Sequence, residues 1–389
     1  MSRMGRFTRD WGPRAQLAWD TLDLRPTRGI PAWLVHVMDI AFLERFTGHA
    51  PGAYLADPDT VYIEFQRRAG ACFVDQYLAQ NPLSMGEAGF SEGTARTATT
   101  GADRVELDGI LIDSPEAVVA HLEQVVWPRR AAQIAAFDPC DPDGIARRIA
   151  AEVALQDRFG PDLLKAPYGW DFGAIPALDY TAYGYANYLM AVALYPEALE
   201  RDYAQQADLA ALVNRAGARA IVEGGLPRLV RLDHDIADSR GTLIDVRTLD
   251  RIWLPHLARA IEPLLQAGVR PIWHCDGNLM AMAPRLIEAG VRGFQGFQYE
   301  DGMDYPAICR MRDRDGESLL IIAGVSVTTT LAHGTPSDVA DEMRRLVDAG
   351  PPVGLFLGGS SSIVPGTPHE NIRALIEGLH YYREHGRGS

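Results

Sequence analysis

Short apolar runs alternate with amphipathic stretches along most of the chain. The runs fall near 31–37, 71–75, 163–167, 229–233, 270–274, 293–297, 319–323 and 353–357, with the lengths expected of buried strands. Between them the apolar positions recur at helical spacing, over 40–47, 61–69, 142–159, 180–195, 196–216, 246–267, 279–289 and 304–312. Further helices are expected through 126, from Thr335 to Gly350, and from 367 to about 385. Start and stop residues sharpen several of these. Asp39 is placed to cap the helix that Gly48 ends, and Ser114-Pro115 and Thr335-Pro336 put a capping hydroxyl before a proline. Thr367-Pro368-His369-Glu370 reads as a capping box, and Pro255 should interrupt or kink 246–267.

Most of these runs follow one another at the loop lengths of βα units. The expected fold is α/β, a (β/α)8 TIM barrel in which residues 1–389 form a single domain. Residues 1–29 read as a polar, Arg-rich, loop-like N-terminal extension. Residues 84–113, where Gly86, Gly89, Gly93, Gly101 and Gly109 punctuate Thr/Val-rich segments, read as a small antiparallel β-hairpin insertion. A doubly wound sheet fits less well, because no Gly-rich dinucleotide fingerprint follows a strand and no P-loop is present.

Composition narrows the partners. With 389 residues, 47% hydrophobic and 23% charged, the chain has ordinary globular composition. Its 37 Lys+Arg against 51 Asp+Glu give a net charge of −14, which argues against nucleic acid and anionic membrane. No apolar run approaches a membrane span, and the first twelve residues are polar and basic, unlike a secretory signal. Cys72, Cys140, Cys275 and Cys309 show no CxxC spacing, so a cytoplasmic location is expected. Whether the chain forms a homodimer is left open.

In a parallel barrel the strand ends converge on one mouth, where catalytic residues sit. The groups delivered there are Tyr168 and Asp171, then Asp233, His234 and Asp235, then His274, Cys275 and Asp276, then Glu300 and Asp301, and finally Ser360, Ser361 and Ser362. His274 and Asp276 alternate along a loop and form a possible two-ligand unit from which Cys275 points away. The competing reading has Asp276 cap the helix 279–289. Asp235 and Glu300 fit either N-caps or partners of that pair in acid–base or metal chemistry. Tyr168, Trp170 and Asp171, with Asn278 and Ser360, are candidate substrate-binding residues. The tyrosines 180, 183, 185 and 188 at helical spacing read as packing or as the wall of a flat apolar pocket. No G-x-S-x-G elbow precedes a serine, which disfavours a serine hydrolase.

The segments His234-Asp-Ile-Ala, Arg240-Gly-Thr-Leu-Ile-Asp, His274-Cys-Asp-Gly-Asn278, Tyr299-Glu-Asp-Gly-Met-Asp304, Ile322-Ala-Gly-Val-Ser, Gly334-Thr-Pro and Thr367-Pro-His-Glu-Asn371 carry a resemblance. In order and spacing, from about 160 to 380, the chain resembles the uroporphyrinogen decarboxylase superfamily and its corrinoid-dependent methyltransferase-like members. The resemblance implies a TIM barrel. It also shows departures. The Arg-rich signature of the true decarboxylases is missing from 30–43, and their late histidine falls near Ser360, which argues against porphyrinogen decarboxylation. The superfamily's zinc methyltransferases use a His-x-Cys pair and a later Cys. Here the pair is His274-x-Asp276 and the later position lies near Ser360, which argues against activation of a thiol such as coenzyme M.

What the resemblance implies is demethylation of a methoxylated or methylated small molecule, the methyl group passing to a corrinoid supplied by a partner protein. His274, Asp276, Asp235 and Glu300 would be the catalytic residues. His274, Asp276 and Glu300 would hold zinc as a Lewis acid, or Asp276 or Glu300 would protonate the leaving oxygen without metal. Two alternatives stand beside this. One is a decarboxylase or lyase of a small carboxylic acid, held by Arg228, Arg231 or Arg240. The other is a catalytically silent barrel that lost the thiolate ligands.

Overall fold

The computed structural model describes residues 7, 9–77, 85–86, 89–90 and 105–387. Five strands pair in parallel in the order Leu355–Gly359, Leu320–Val325, Gly293–Gln295, Arg270–His274, Leu229–Asp233. Each connection carries the chain through a helix before the next parallel strand, as parallel pairing requires. Isolated bridges extend the pairing: Ala32 joins Leu357, Trp33 joins Phe73, and Phe73–Val74 pairs with Leu164–Lys165. Eight parallel segments are thereby linked, within two residues of the expected runs. Among the described residues no ladder joins Leu164–Lys165 to Leu229–Asp233. Side chains cross that seam instead: Leu178 N donates to His234 Nε2 (2.8 Å) and the Tyr168 hydroxyl to Asp233 (3.3 Å).

The strands form where both faces are covered. All six residues of Leu320–Val325 are buried, which is why it reads as a continuous apolar run, and the first four of Leu229–Asp233 are buried too, the charged Arg231 among them. Helix boundaries follow their caps. Asp39 accepts from Phe42 N at 2.8 Å, Gly48 closes Ile40–Thr47 in the left-handed region, and Thr335 with Asp338 completes a capping box on Pro336–Ala349.

Five expectations need correction. The helix expected over 279–289 begins only at Ala283 with Met282 at its N-cap, so Asp276 caps nothing. The helix over 246–267 breaks at Trp253, ahead of Pro255, because a proline is tolerated in the first turn of the second piece, Leu254–Gln266. The Thr367 capping box does not form. His369–His385 starts without a side-chain cap, and the Thr367 hydroxyl donates to Val364 O. Residues 1–29 are not all loop: Pro13–Leu22 is helical, burying Ala15, Ala18 and Leu22, small residues that left a weak periodic signal. The single helix 180–195 is two, Tyr180–Tyr183 and Tyr185–Leu194, divided at Gly184.

Of the insertion over 84–113, Val105–Leu107 pairs antiparallel with Ile110–Ile112 and Met85–Gly86 with Gly89–Phe90. Asp108 and Gly109 turn the first hairpin with φ of 50° and 80°, the mirror-image turn suited to twisted strands. The rest of that stretch lies outside the described residues. No helix among the described residues is long and apolar enough to cross a membrane.

Candidate functional site

The ends of Leu229–Asp233 and Arg270–His274 lie side by side, with His274 paired to Asp233. Beyond them the chain runs into two loops that lock together. Asp276 N donates to an Asp235 carboxylate oxygen (2.9 Å), and Asn278 N donates to Asp238 O (2.8 Å). Gly277 stands between with φ 85°; a Cβ there would meet the Asp238 backbone at 2.5 Å. Its N–H donates to Gln298 Oε1 at 2.5 Å. The backbone of one loop is thereby ordered by side chains of its neighbours, and ligand atoms of Asp235, His274 and Asp276 come within 4.8 Å of one another.

Asp233 sits beside this group. Its Oδ1 lies 3.8 Å from His274 Nε2, and Oδ2 receives Arg231 (3.1 Å) and Gln76 Nε2 (2.7 Å). Burial alone would raise its pKa, but the charges of His274 and Arg231 outweigh that and hold it below the usual carboxylate range. Arg231 also faces Asp75 (3.4 Å), which accepts from Trp33 Nε1 at 2.6 Å. Asp276 is shifted the other way. Burial raises it and Asp235 adds to the rise, against the opposing pull of His274. Ser361 donates to its Oδ2 at 3.4 Å, whereas Oδ1 is buried without a hydrogen-bond partner among the described residues. Two carboxyls 43 positions apart in the chain, and neighbours in space, thus differ in their tendency to ionise.

The remaining candidates fall in other surroundings. Glu300, on the turn Tyr299–Asp301, is exposed and accepts from Ser326 Oγ (2.9 Å) and the Thr328 hydroxyl. In the group of three it is Asp235, not Glu300, that joins His274 and Asp276. Tyr168 reaches the mouth with its hydroxyl, which burial and the Asp233 charge push up to about 12. Trp170 is exposed, Asp171 pairs with Arg148 at 3.0 Å, and Phe172 is buried in the core. Asn278 folds back to accept from Met280 N, and buried Ser360 accepts from Val327 N. Tyr183 and Tyr188 are buried, bonded to His121 and Tyr203, so the stripe is packing there. Half-buried His234 accepts from Leu178 N, and loss of solvent around the ring lowers its pKa to about 4. Cys275 turns its sulfur into the loop backbone, near Ile236 N (3.3 Å) and Asp276 O (3.0 Å), and burial raises its thiol.

Sequence reasoning missed His36, Asp75 and Gln76. The last two follow directly on Phe73–Val74, and strand-end position could have found them.

The donor set suits a metal. Two carboxylates and an imidazole from adjacent loops are hard-to-borderline ligands for Zn²⁺ or a similar divalent ion, and the partnerless Asp276 Oδ1 offers a ready lone pair.

Comparison with known proteins adds to this geometry. Residues 208–382 match the family model for uroporphyrinogen decarboxylase (URO-D). The chain is 26% identical over 170 residues to the methylcobamide:CoM methyltransferase MtbA of Methanosarcina acetivorans, covering 44% of this chain and 46% of that protein. To the protein of the same description from Methanosarcina mazei it is 25% identical over 176 residues, covering 45% and 48%. The chain thus spans about half the length of the curated relatives it matches. A solved methyltransferase structure from Methanosarcina mazei shares the α/β fold, with a TM-score of 0.57 and 14% identity, over 95% of this chain and 98% of that one.

Proposed function

We propose that the chain is a member of the uroporphyrinogen decarboxylase superfamily that moves a methyl group between a small methylated or methoxylated molecule and a corrinoid carried by a partner protein. The eight parallel segments are taken as one closed (β/α)8 barrel spanning the chain, with the seam after Leu164–Lys165 held by side chains.

The observation that carries the reading is the convergence of Asp235, His274 and Asp276 inside the stretch that matches the family. A divalent ion such as zinc would be held by these three residues and, when bound, supplies a Lewis acid to the heteroatom that gives up its methyl group. The chain's own residues prepare the site. Asp276 N–H holds one Asp235 oxygen, and Ser361 steadies Asp276. Gln76, Tyr168 and Arg231 fix Asp233 as an ionised group beside His274. Thiol activation is not favoured, because the nearby cysteine, Cys275, faces backbone rather than the group of three.

Charge supports a neutral or cationic substrate. Arg231 is paired with both Asp75 and Asp233, and the carboxyl groups of Asp235 and Asp276 lie close to one another at the same strand ends. A decarboxylase would need an arginine free to hold an acid. Arg231 is committed to two aspartates, Arg240 is exposed and paired with Asp238, and Arg228 lies before its strand, at the opposite end from the mouth.

The test is methyl transfer by zinc-loaded protein between methylcobalamin or cob(I)alamin and a panel of methanol, methylamines and methoxybenzenes, followed by the cobalamin visible spectrum. Transfer is expected with at least one member, and His274→Ala should lose both zinc and transfer. Metal-loaded protein that transfers no methyl group with any pair would end this reading.

A further inference from the structure

Segment 32–37 contributes one side chain that the mechanism above does not use. Trp33 faces the barrel interior, where its Nε1 meets Asp75 beside Arg231. Regular alternation would send residue 36, three positions on, to the outer face. His36 instead has φ 61°, a left-handed backbone that a non-glycine residue seldom adopts. That local reversal leaves the imidazole among the charges of Arg231, Asp233 and His274. Its Nδ1 lies 3.4 Å from Ser362 Oγ, next to the Ser361 that donates to Asp276. Its Nε2 is buried and has no hydrogen-bond partner among the described residues. Burial, with Arg231 next in weight, lowers its pKa to about 3, which favours the uncharged ring.

A strained backbone and a partnerless buried nitrogen each carry a free-energy cost. We propose that His36 is a specificity-determining residue whose Nε2 hydrogen-bonds the polar heteroatom of the methylated substrate, across the mouth from Asp235, His274 and Asp276. The inference rests on the methyl-transfer reading and narrows its substrate class. A neutral imidazole holds no anion and offers one hydrogen-bonding nitrogen. Gln76 Oε1 and Gln295 Oε1 are likewise buried without partners among the described residues. Such a lining suits a small methylated alcohol, ether or amine better than a flat apolar ring.

The experiment uses zinc-loaded full-length protein and the variants His36→Asn and His36→Gly, both of which accept a left-handed backbone at lower cost than histidine. The expected result is a Tm at or above that of the parent, unchanged zinc content, and a KM raised about tenfold or more with a smaller change in kcat. An unchanged KM would overturn the proposal while leaving methyl transfer intact. A Tm that falls in both variants would make His36 a packing residue and also overturn it. If the parent protein transfers no methyl group, the ¹⁵N resonances of the His36 ring are followed while methanol, trimethylamine or dimethyl ether is added. A shift with one of these supports the contact, and none with all three refutes it.

Discussion

Asp179 shows how one side chain can set a pH dependence of stability. Burial, with the Asp202 charge adding to it, raises its carboxyl from the usual 3.8 to about 7, and Arg130 only partly opposes the rise. A carboxyl raised on folding contributes stability that is fully present below its unfolded pKa and is lost as pH climbs through about 7. Asp179→Asn should therefore leave the protein little changed at pH 4 and stabilise it at pH 8, by on the order of 4 kcal/mol at most. Denaturant melts of the two proteins across pH 4 to 8 check this, and a difference that stays flat with pH refutes it. Residue-level reading of the sequence placed His274 and Asp276 at one strand end, and the structure brings them together with Asp235. His274 and Asp276 were legible because alternate residues of a strand-end loop face one way. Glu300 fitted the same pattern and went elsewhere, drawn to the Ser326 and Thr328 hydroxyls. His36 could not be found that way, since its direction depends on a single backbone dihedral.

Elements matter here through their ends. The strands were visible because each is covered on both faces, which leaves a continuous apolar run. Their pairing puts Asp233 beside His274 in register, and the two following loops complete the site. Gly277 stands where those loops pass too close to admit a side chain. Gly277→Ala would place a methyl group 2.5 Å from Asp238 O on a backbone with φ 85°, so the loops must part. The variant should lose at least about 1 kcal/mol of stability. Its zinc affinity should fall further than its stability, because Asp276 is the next residue. Calorimetric melting with a zinc titration tests both, and an unchanged affinity would mean that the loop does not position the metal group. Helix starts were less legible than strands. Asp39 and Thr335 do cap, yet Thr367 does not, because its hydroxyl finds Val364 O one turn earlier.

Over the whole molecule, the excess of acid over base shapes what can approach. A net charge of −14, with Arg231 already paired to Asp75 and Asp233, favours cationic and neutral ligands over anions. For any substrate the enzyme accepts, a carboxylate-bearing analogue should bind about tenfold more weakly or worse, and the gap should narrow as salt rises. KM for matched neutral and anionic substrates at two ionic strengths measures this, and equal values would contradict it.

The linear order of residues by itself determined the eight parallel segments, most of the helices between them, and the strand-end addresses of Asp233, Asp235, His274 and Asp276. These follow from periodicity and burial, which are local properties that each segment carries in its own composition. Tertiary structure alone decided that Asp235 rather than Glu300 completes the group with His274 and Asp276, and that Arg231 is spent on Asp75 and Asp233. It also decided that His36 turns inward. Those outcomes depend on which loops meet and on one backbone dihedral, and electrostatic pairing across 156 positions of chain leaves no mark on local pattern.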